Sequence, residues 1–587
     1  MKGFLHIVNI NNFLSKLFKN QLAKERTFLI VLITTLTTIW FRKGLILGSG
    51  ESGLPFYNTS RLLEVLKSSW GDVPIGGSGS IAFPSSPLYA TVTFFQHLNI
   101  PNFILQAVLY WLIFVVGVLA VHKLASLVKG NSPLSRFSSA LFYIFNPIAH
   151  ISVLHRFQYP LIFFYAFMPL AFLIYLKGLE SKKFIYLVVL GLVSLIFSFA
   201  FVGPAFLELF FGILGFLSIF VFISTFRKER DYFPLVYFLA FVVIFSLLHS
   251  WWLMPLLSSV FVDLGNRGSV KFFNPSDNVS TFKGISEQVE SVLGVFRLFK
   301  PNDYLKDNAS WVWIYGTVPF IFLSFFSAVA FILGLFKKEK ELIYKFLILV
   351  AFIVMFWMKG TLAPFGGVTM RIFEWFTFLH VFRNPFEKIG LSLPFAMAIP
   401  VGFGIVAIVN TLSSKLRFSK KLVAFLILTL TFPVFMFPTV TGLVFTGGGP
   451  PANDINIGQY VKVPDYYKDA REWLDKQQGL FRVLVLPIDG EGMTYKWEYG
   501  FAGVELSNNL FNQPMVSLST SNGNLPEMVD NIKQTLLNYP DKVWILAQLL
   551  NVRYIMVRDD IDYLARETEN PVKVLDNVRK YLLQSFS

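Results

Sequence analysis

The chain has 587 residues, 54% of them apolar and only 15% charged, with no cysteine and a formal charge of +15. Soluble globular chains carry about a quarter charged residues, so that class is excluded, and with it go disulfides, thiol nucleophiles and cysteine metal sites. The positive charge is not interleaved with aromatic residues in any one stretch, which speaks against nucleic acid as a partner.

The apolar residues, 67 phenylalanines among them, fall into runs of about 17 to 25. That length spans the hydrocarbon core of a bilayer as a helix, the conformation that satisfies its own backbone groups there. The first run, "TFLIVLITTLTTIWF" (27–41), follows Lys2, Lys16, Lys19, Lys24 and Arg26. It shows no small-residue cleavage site and reads as a retained anchor. Later runs end alternately in "KGNSPLSR", "KGLESKK", "RKERDYF", "KKEKELIYK" and "SSKLRFSKK". Short basic connections stay in the cytoplasm. The outer connections are then 44–100, 150–159, the Gly203-Pro204 turn, 258–311, 359–388 and the tail from about 445. The expected fold is an all-α polytopic membrane protein of about eleven transmembrane helices, N-terminus inside. It comprises a membrane domain (1–444) and a small extracytoplasmic α/β domain (445–587). The expected location is the plasma membrane.

In the first outer loop, "GSGESGLPFYN" (48–58) sets Glu51 among glycines just where the chain leaves the membrane. It is either a hydrated loop charge or a carboxylate placed for surface chemistry. In "NTSRLLEVLKSSWGD" (58–72), Leu62, Leu63, Leu66 and Trp70 share one face of a short interfacial helix. Asp72, which follows it, is a turn residue or a second acid. "HISVLHRFQYP" carries His150, His155 and Arg156. His155, Arg156 and Trp70 are pocket candidates, with an interfacial cap as the plainer reading. The two histidines are five apart, wrong for a shared metal face on a helix, and no metal site is expected. No cofactor is called for, and a divalent metal finds no supporting ligand pattern.

Glu208 is the main charge inside an apolar run. In 359–388, "RIFEWFTFLHVF" reads as a second amphipathic surface helix, and "FRNPFEK" brings Arg383 and Lys388 to the start of the next run. Such cations either snorkel or hold an anion, and arginine forks onto phosphate oxygens with charge-assisted bonds. The tail reads as a charged helix in "VPDYYKDAREWLDKQQG", strands in "FRVLVLP" and "VRYIMVRD", and helices in "PEMVDNIKQTLLNY" and "DKVWILAQLLN". "DDID" (559–562) has Asp-x-Asp spacing but follows a strand, where acidic turns are common. Asn58, Asn278 and Asn308 open Asn-x-Ser triplets. There is no phosphate loop of the Walker type and no His-Glu-x-x-His.

Taken in order, these pieces resemble the GT-C class of polytopic glycosyltransferases. "ESGLPFYNTSRLLEVLKSSWGD…AFPSSPLYATVTFFQHLNIPNFILQ" is similar to the first loop of the actinobacterial arabinofuranosyltransferases that build cell-wall arabinan. "KGTLAPFG…FRNPFEK" and "RVLVLP…LNVRYIMVRDD" are similar to motifs of related membrane proteins, including the YfhO-like group. The chain departs in having a lone glutamate where the arabinofuranosyltransferase pattern has aspartates. The resemblance implies an inverting transfer of a sugar from a polyprenyl-phosphate (or dolichyl-phosphate) donor to an extracytoplasmic glycan or lipid-linked acceptor. It implies Glu51 as general base, Asp72 as second choice, and Arg383 and Lys388 as ligands of the donor phosphate. A flippase or transporter of lipid-linked sugars is the first alternative, but would call for polar residues deep in several helices. A non-catalytic assembly factor is the second.

Overall fold

The computed structural model describes residues 21–48, 50–67, 80–229, 231–265, 275–289, 291–299, 311–336, 341–447, 457–486 and 493–517. It also describes most of 531–562 and of 575–580. Trp70, Asp72 and Asn308 lie outside the described residues.

Among the described residues, five helices are long and apolar enough to cross a membrane: Asn102–Leu127, Tyr159–Ser181, Pro204–Thr225, Val318–Leu335 and Pro385–Leu416. Two bent pairs bring the number to seven, Pro133–Ile144 with Ala149–His155 (44°) and Phe233–Leu248 with Ser250–Ser258 (88°). This is coarser than the eleven spans read from the sequence. The remaining runs fold as short or interrupted helices. Ile185–Ile196 and Leu342–Met358 are brief. Gln21–Trp40 opens with charged turns, and Lys420–Thr429 passes into a wide turn, Leu430–Val434, around Pro433.

Two spans form the centre. Tyr159–Ser181 and Pro385–Leu416 are 89% and 83% buried within the protein, against 28–44% for the other three, which turn one face to lipid. Close packing at the centre depends on small residues, as is usual where no hydrophobic effect drives helices together in lipid. A Cβ built on Gly404 would lie 1.7 Å from the Ala330 carbonyl oxygen, and one on Gly334 2.1 Å from that of Pro400. Gly404→Val must therefore push Phe326–Leu335 off the central helix. Overpacking of this kind costs about 1–3 kcal/mol, and the expected result is a lower unfolding midpoint in detergent.

At the bundle end where Gln21–Trp40 begins, the Glu25 carboxylate is buried. It bonds His122 Nε2 at 2.7 Å and accepts from Arg136 Nη2 at 2.9 Å and Nε at 3.1 Å. Three helices are thus tied by one ionic knot. Removing one partner of a buried pair strands the others, so Glu25→Gln is expected to lower stability by about 3 kcal/mol, read by the same melting experiment.

The opposite end carries a second hydrophobic core. Val483 and Val485 of β3 (Arg482–Leu486) pack there with Tyr467, Leu474, Tyr495, Phe501, Leu510 and Phe511. Strands β6 (Met515–Val516) and β7 (Val552–Val557) flank β3, both parallel to it. The two expected strands are β3 and β7, and the charged helix is Asp465–Asp475. Strands β4 (Met493–Tyr495) and β5 (Phe501–Gly503) form an antiparallel pair. The first loop is woven into this unit: β1 (Ile46–Leu47) pairs antiparallel with β2 (Tyr460–Val461), and Leu54 is fully buried in the second core. Asn58 caps the helix Thr59–Val65 and bonds Asn512 Oδ1 at 2.9 Å. That helix ends before Leu66, short of the expected face, and Arg61 on it is buried.

Candidate active site

Four of the residues singled out from sequence converge where the first loop meets the bundle. Glu51 stands in the turn after β1. Arg156 ends the bent span Pro133–His155. Asn146 breaks that span, its Oδ1 accepting from the Ala149 N–H at 2.9 Å, and a wide helical turn, Ala149–His155, follows. Phe157 then adopts φ +54°, a left-handed conformation rare for a bulky residue. Its ring is fully buried and stacked on Tyr110 at 5.4 Å, which holds that backbone in place. The chain therefore reverses sharply, with the Arg156 guanidinium on the outside of the turn.

Arg156 Nη2 donates to Glu51 Oε1 at 3.0 Å, and its Nη1 donates to Glu387 Oε1. Glu387 is buried, whereas Glu51 is 66% and Arg156 39% exposed at the side chain. Glu387 sits in the short helix Pro385–Lys388. Its Oε2 accepts from Asn384 Nδ2 at 2.7 Å, and its N–H donates to Asn384 Oδ1 at 3.3 Å. This reciprocal cap, with proline at the first helical position, is a familiar helix start.

Lys388 follows, its Nζ donating to the Val381 carbonyl at 2.7 Å. The charges of Arg383, Glu387, Glu51 and Arg156 all reach it. The charge of Lys388 also reaches Glu208, one turn into the helix that begins at Pro204. Arg383 Nη1 donates to Asn278 Oδ1 at 2.9 Å. Arg156 thus ties Glu51 to Glu387 directly, and the charges of Arg383, Lys388 and Glu208 lie around this bridge.

His155 does not join it. Its Nδ1 bonds the Val444 carbonyl at 2.8 Å and its ring packs edge-on against Trp311 at 5.1 Å. It fastens the turn to the chain after the last span. His150 is likewise buried, on Thr439 Oγ1 at 2.5 Å. Asp560 of "DDID" accepts from Tyr466 Oη and Trp497 Nε1, both at 2.6 Å, and from Tyr467 Oη at 3.2 Å, so it serves the second core's edge. Asn58 and Asn278 are buried and bonded, which closes both triplets to modification. The expected surface helix 371–382 is broken at Phe376 into Gly366–Trp375 and a tighter turn, Thr377–Phe382. Among the described residues no three His, Asp or Glu side chains gather as a metal would need.

Sequence reasoning missed Glu387, because Asn-Pro-x-Glu reads fully as a helix cap. It saw Glu208 as an isolated mid-span charge. The available signal was "FEK" itself, an acid beside a lysine at the end of a loop already rich in cations.

Apolar spans around a buried helical centre, with an ionic cluster under a strand-bearing cap at one end, define a polytopic membrane protein of the GT-C type. The sequence profile described as the alpha-(1->3)-arabinofuranosyltransferase N-terminal GT-C domain matches residues 79–582, and the chain belongs to that family. Arg156, Glu208, Arg383, Glu387 and Lys388 lie within the matched residues, and Glu51 precedes them. The structure of arabinofuranosyltransferase AftD from Mycobacteria is similar, with a TM-score of 0.62 at 16% identity over 94% of this chain. A mutant form in two classes gives TM-scores of 0.63 (16% identity, 92% of this chain) and 0.59 (15%, 94%). At such identity the likeness is one of fold. The chain spans only 37–38% of the length of those proteins. No curated protein matches it.

Proposed function

We propose that the chain is an integral-membrane inverting glycosyltransferase. It moves a sugar from a polyprenyl-phosphate donor, dolichyl in an archaeal host, to an extracytoplasmic glycan or lipid-linked acceptor. The carrying observation is the Arg156 bridge between Glu51 and Glu387, set beside Lys388 and Arg383. The acceptor hydroxyl gives its proton to Glu51 as its oxygen bonds the anomeric carbon. The bond from that carbon to the phosphate oxygen breaks on the opposite face, and polyprenyl phosphate leaves. Arg156, Arg383 and Lys388 stabilise the charge that develops on the phosphate. An exposed ion pair is worth about 0–1 kcal/mol, so an arriving phosphate draws Arg156 off Glu51 at little expense and opens Oε1 to the acceptor. Glu387, more deeply set, keeps hold of the guanidinium meanwhile.

This reading places the cluster on the outer face, the N-terminus in the cytoplasm and the residues after about 445 outside. Counting the short and interrupted helices as spans brings the number to the eleven expected. The membrane itself supplies the donor as a lipid.

The test is transfer by purified protein in lipid from a panel of labelled polyprenyl-phosphate sugars to a crude surface-glycan acceptor, wild type beside Glu51→Gln. Transfer by wild type alone supports the reading. Absence of transfer from every donor in the panel moves the flippase or assembly reading ahead.

A further inference from the structure

The turn that carries Glu51 is gripped from two directions. From the bundle, Gln106 exchanges both backbone bonds of Leu47, accepting from its N–H at 2.7 Å and donating to its carbonyl at 2.8 Å. From the far end of the chain, the Gly48 N–H donates to the Gln459 carbonyl and the Val504 N–H to the Gly50 carbonyl, both at 2.7 Å. The contact at Gly503, the last residue of β5, is closest. A Cβ built there would lie 2.3 Å from the Gly50 oxygen, 2.4 Å from its Cα and 2.7 Å from its carbonyl carbon. Those atoms are backbone and cannot rotate away. On the other side of Glu51, Gly53 takes φ +63°, and its absent Cβ would fall 2.7 Å from Asn509 Oδ1. Residues more than 450 positions away in sequence therefore touch the chain immediately before and after the carboxylate.

We propose that Gly503 and Asn509 are positioning residues for Glu51: glycine against glycine on one side, and the Asn509 amide under Gly53 on the other, set where the carboxylate stands over Arg156. The C-terminal unit then acts on the reaction as the outer wall of the active-site turn. This rests on Glu51 being the general base. It explains why β1 and β2 pair at all, since a two-residue ladder adds little by itself but fixes the register of the turn that follows. It also explains the glycine at 503, where a Cβ would press on the backbone of Gly50.

The experiment uses the full chain in lipid. Gly503→Ala must displace Gly50 by an ångström or more, and misplacement on that scale lowers turnover by about 10²-fold. Asn509→Ala removes the support under Gly53 without adding bulk and is expected to lower kcat several-fold. In both, KM for the lipid donor stays at the wild-type value, because Arg156, Arg383 and Lys388 are untouched. The chain has no cysteine of its own, so Ser52→Cys supplies a single thiol beside Glu51. Its labelling by an impermeant maleimide is expected to quicken several-fold in either variant background. Folded variants with wild-type kcat and unchanged labelling overturn the proposal, as does a rise in donor KM at constant kcat. If Gly503→Ala does not fold, Asn509→Ala decides by the same two readouts. Full activity of Glu51→Gln would instead overturn the base assignment, and labelling at residue 52 still reads the positioning if no donor in the panel is used.

Discussion

Glu51→Gln is expected to lower kcat for sugar transfer by about 10²- to 10⁴-fold, the usual worth of a general base, with donor binding and melting temperature unchanged. The substitution is close to isosteric. Its amide oxygen still accepts from Arg156 Nη2, so the geometry of the cluster is retained while the capacity to take a proton is lost. The ion pair it weakens is between side chains 39% and 66% exposed, a setting where screening leaves about 0–1 kcal/mol at stake. Stability is therefore an internal control: a variant that melts early reports a damaged fold, and its activity says nothing of the base. Because the base acts on the acceptor, and because the Glu51 charge is 66% exposed and screened by solvent where that of Glu387 is buried, donor KM is expected to hold while kcat falls, the pattern of an interaction made in the transition state. Transfer by Glu51→Gln at the wild-type rate would shift the role to Asp72.

What was legible in the sequence and what was not divide along physical lines. Glu51, Arg156, Arg383 and Lys388 stood out because the order of loops put all four at one end, although each alone also reads as a loop charge, a cap or a snorkelling cation. That they touch is a matter of tertiary structure. Arg156 and Glu387 are 231 positions apart, and no periodicity spans that distance. Glu387 was concealed by its own local role, since capping its helix already accounts for it. Glu208 was visible, but not that the charge of Lys388 reaches it. The same contrast holds for the fold. β3 is a run of buried aliphatic residues, and β7 is an apolar-rich run that alternates between half-buried and exposed positions before becoming half-buried at its end; both announce themselves, whereas β1 and β2 are two residues each, below any pattern. The C-terminal unit reads from composition as a small α/β domain, but no pattern in it points to the first loop. Leu54 inside its core and Gly503 against Gly50 tie it to that loop.

The second large effect is expected at the Arg156–Glu387 pair, where two substitutions should diverge in a way that simple damage would not reproduce. Arg156→Ala removes a cation aimed at the developing phosphate charge, and loss of one such donor lowers kcat by about 10²- to 10³-fold. Glu387→Gln keeps the Arg156 side chain but removes the carboxylate that orients it. A smaller fall, about tenfold, is expected, together with a lower donor KM, because a negative charge has been taken from a site that binds an anion. Reduced kcat with reduced KM is the mark of lost orientation rather than lost affinity. Glu387 is buried, so Arg156→Ala, which takes the guanidinium from that carboxylate, is expected to cost more stability than Glu387→Gln, and both are assayed well below their melting temperatures. If Glu387 acts only through Arg156, the double variant transfers no more slowly than Arg156→Ala, since coupled residues are not additive. Additive losses in that cycle, or a raised donor KM in Glu387→Gln, would separate the two residues and leave Glu387 with its capping role alone.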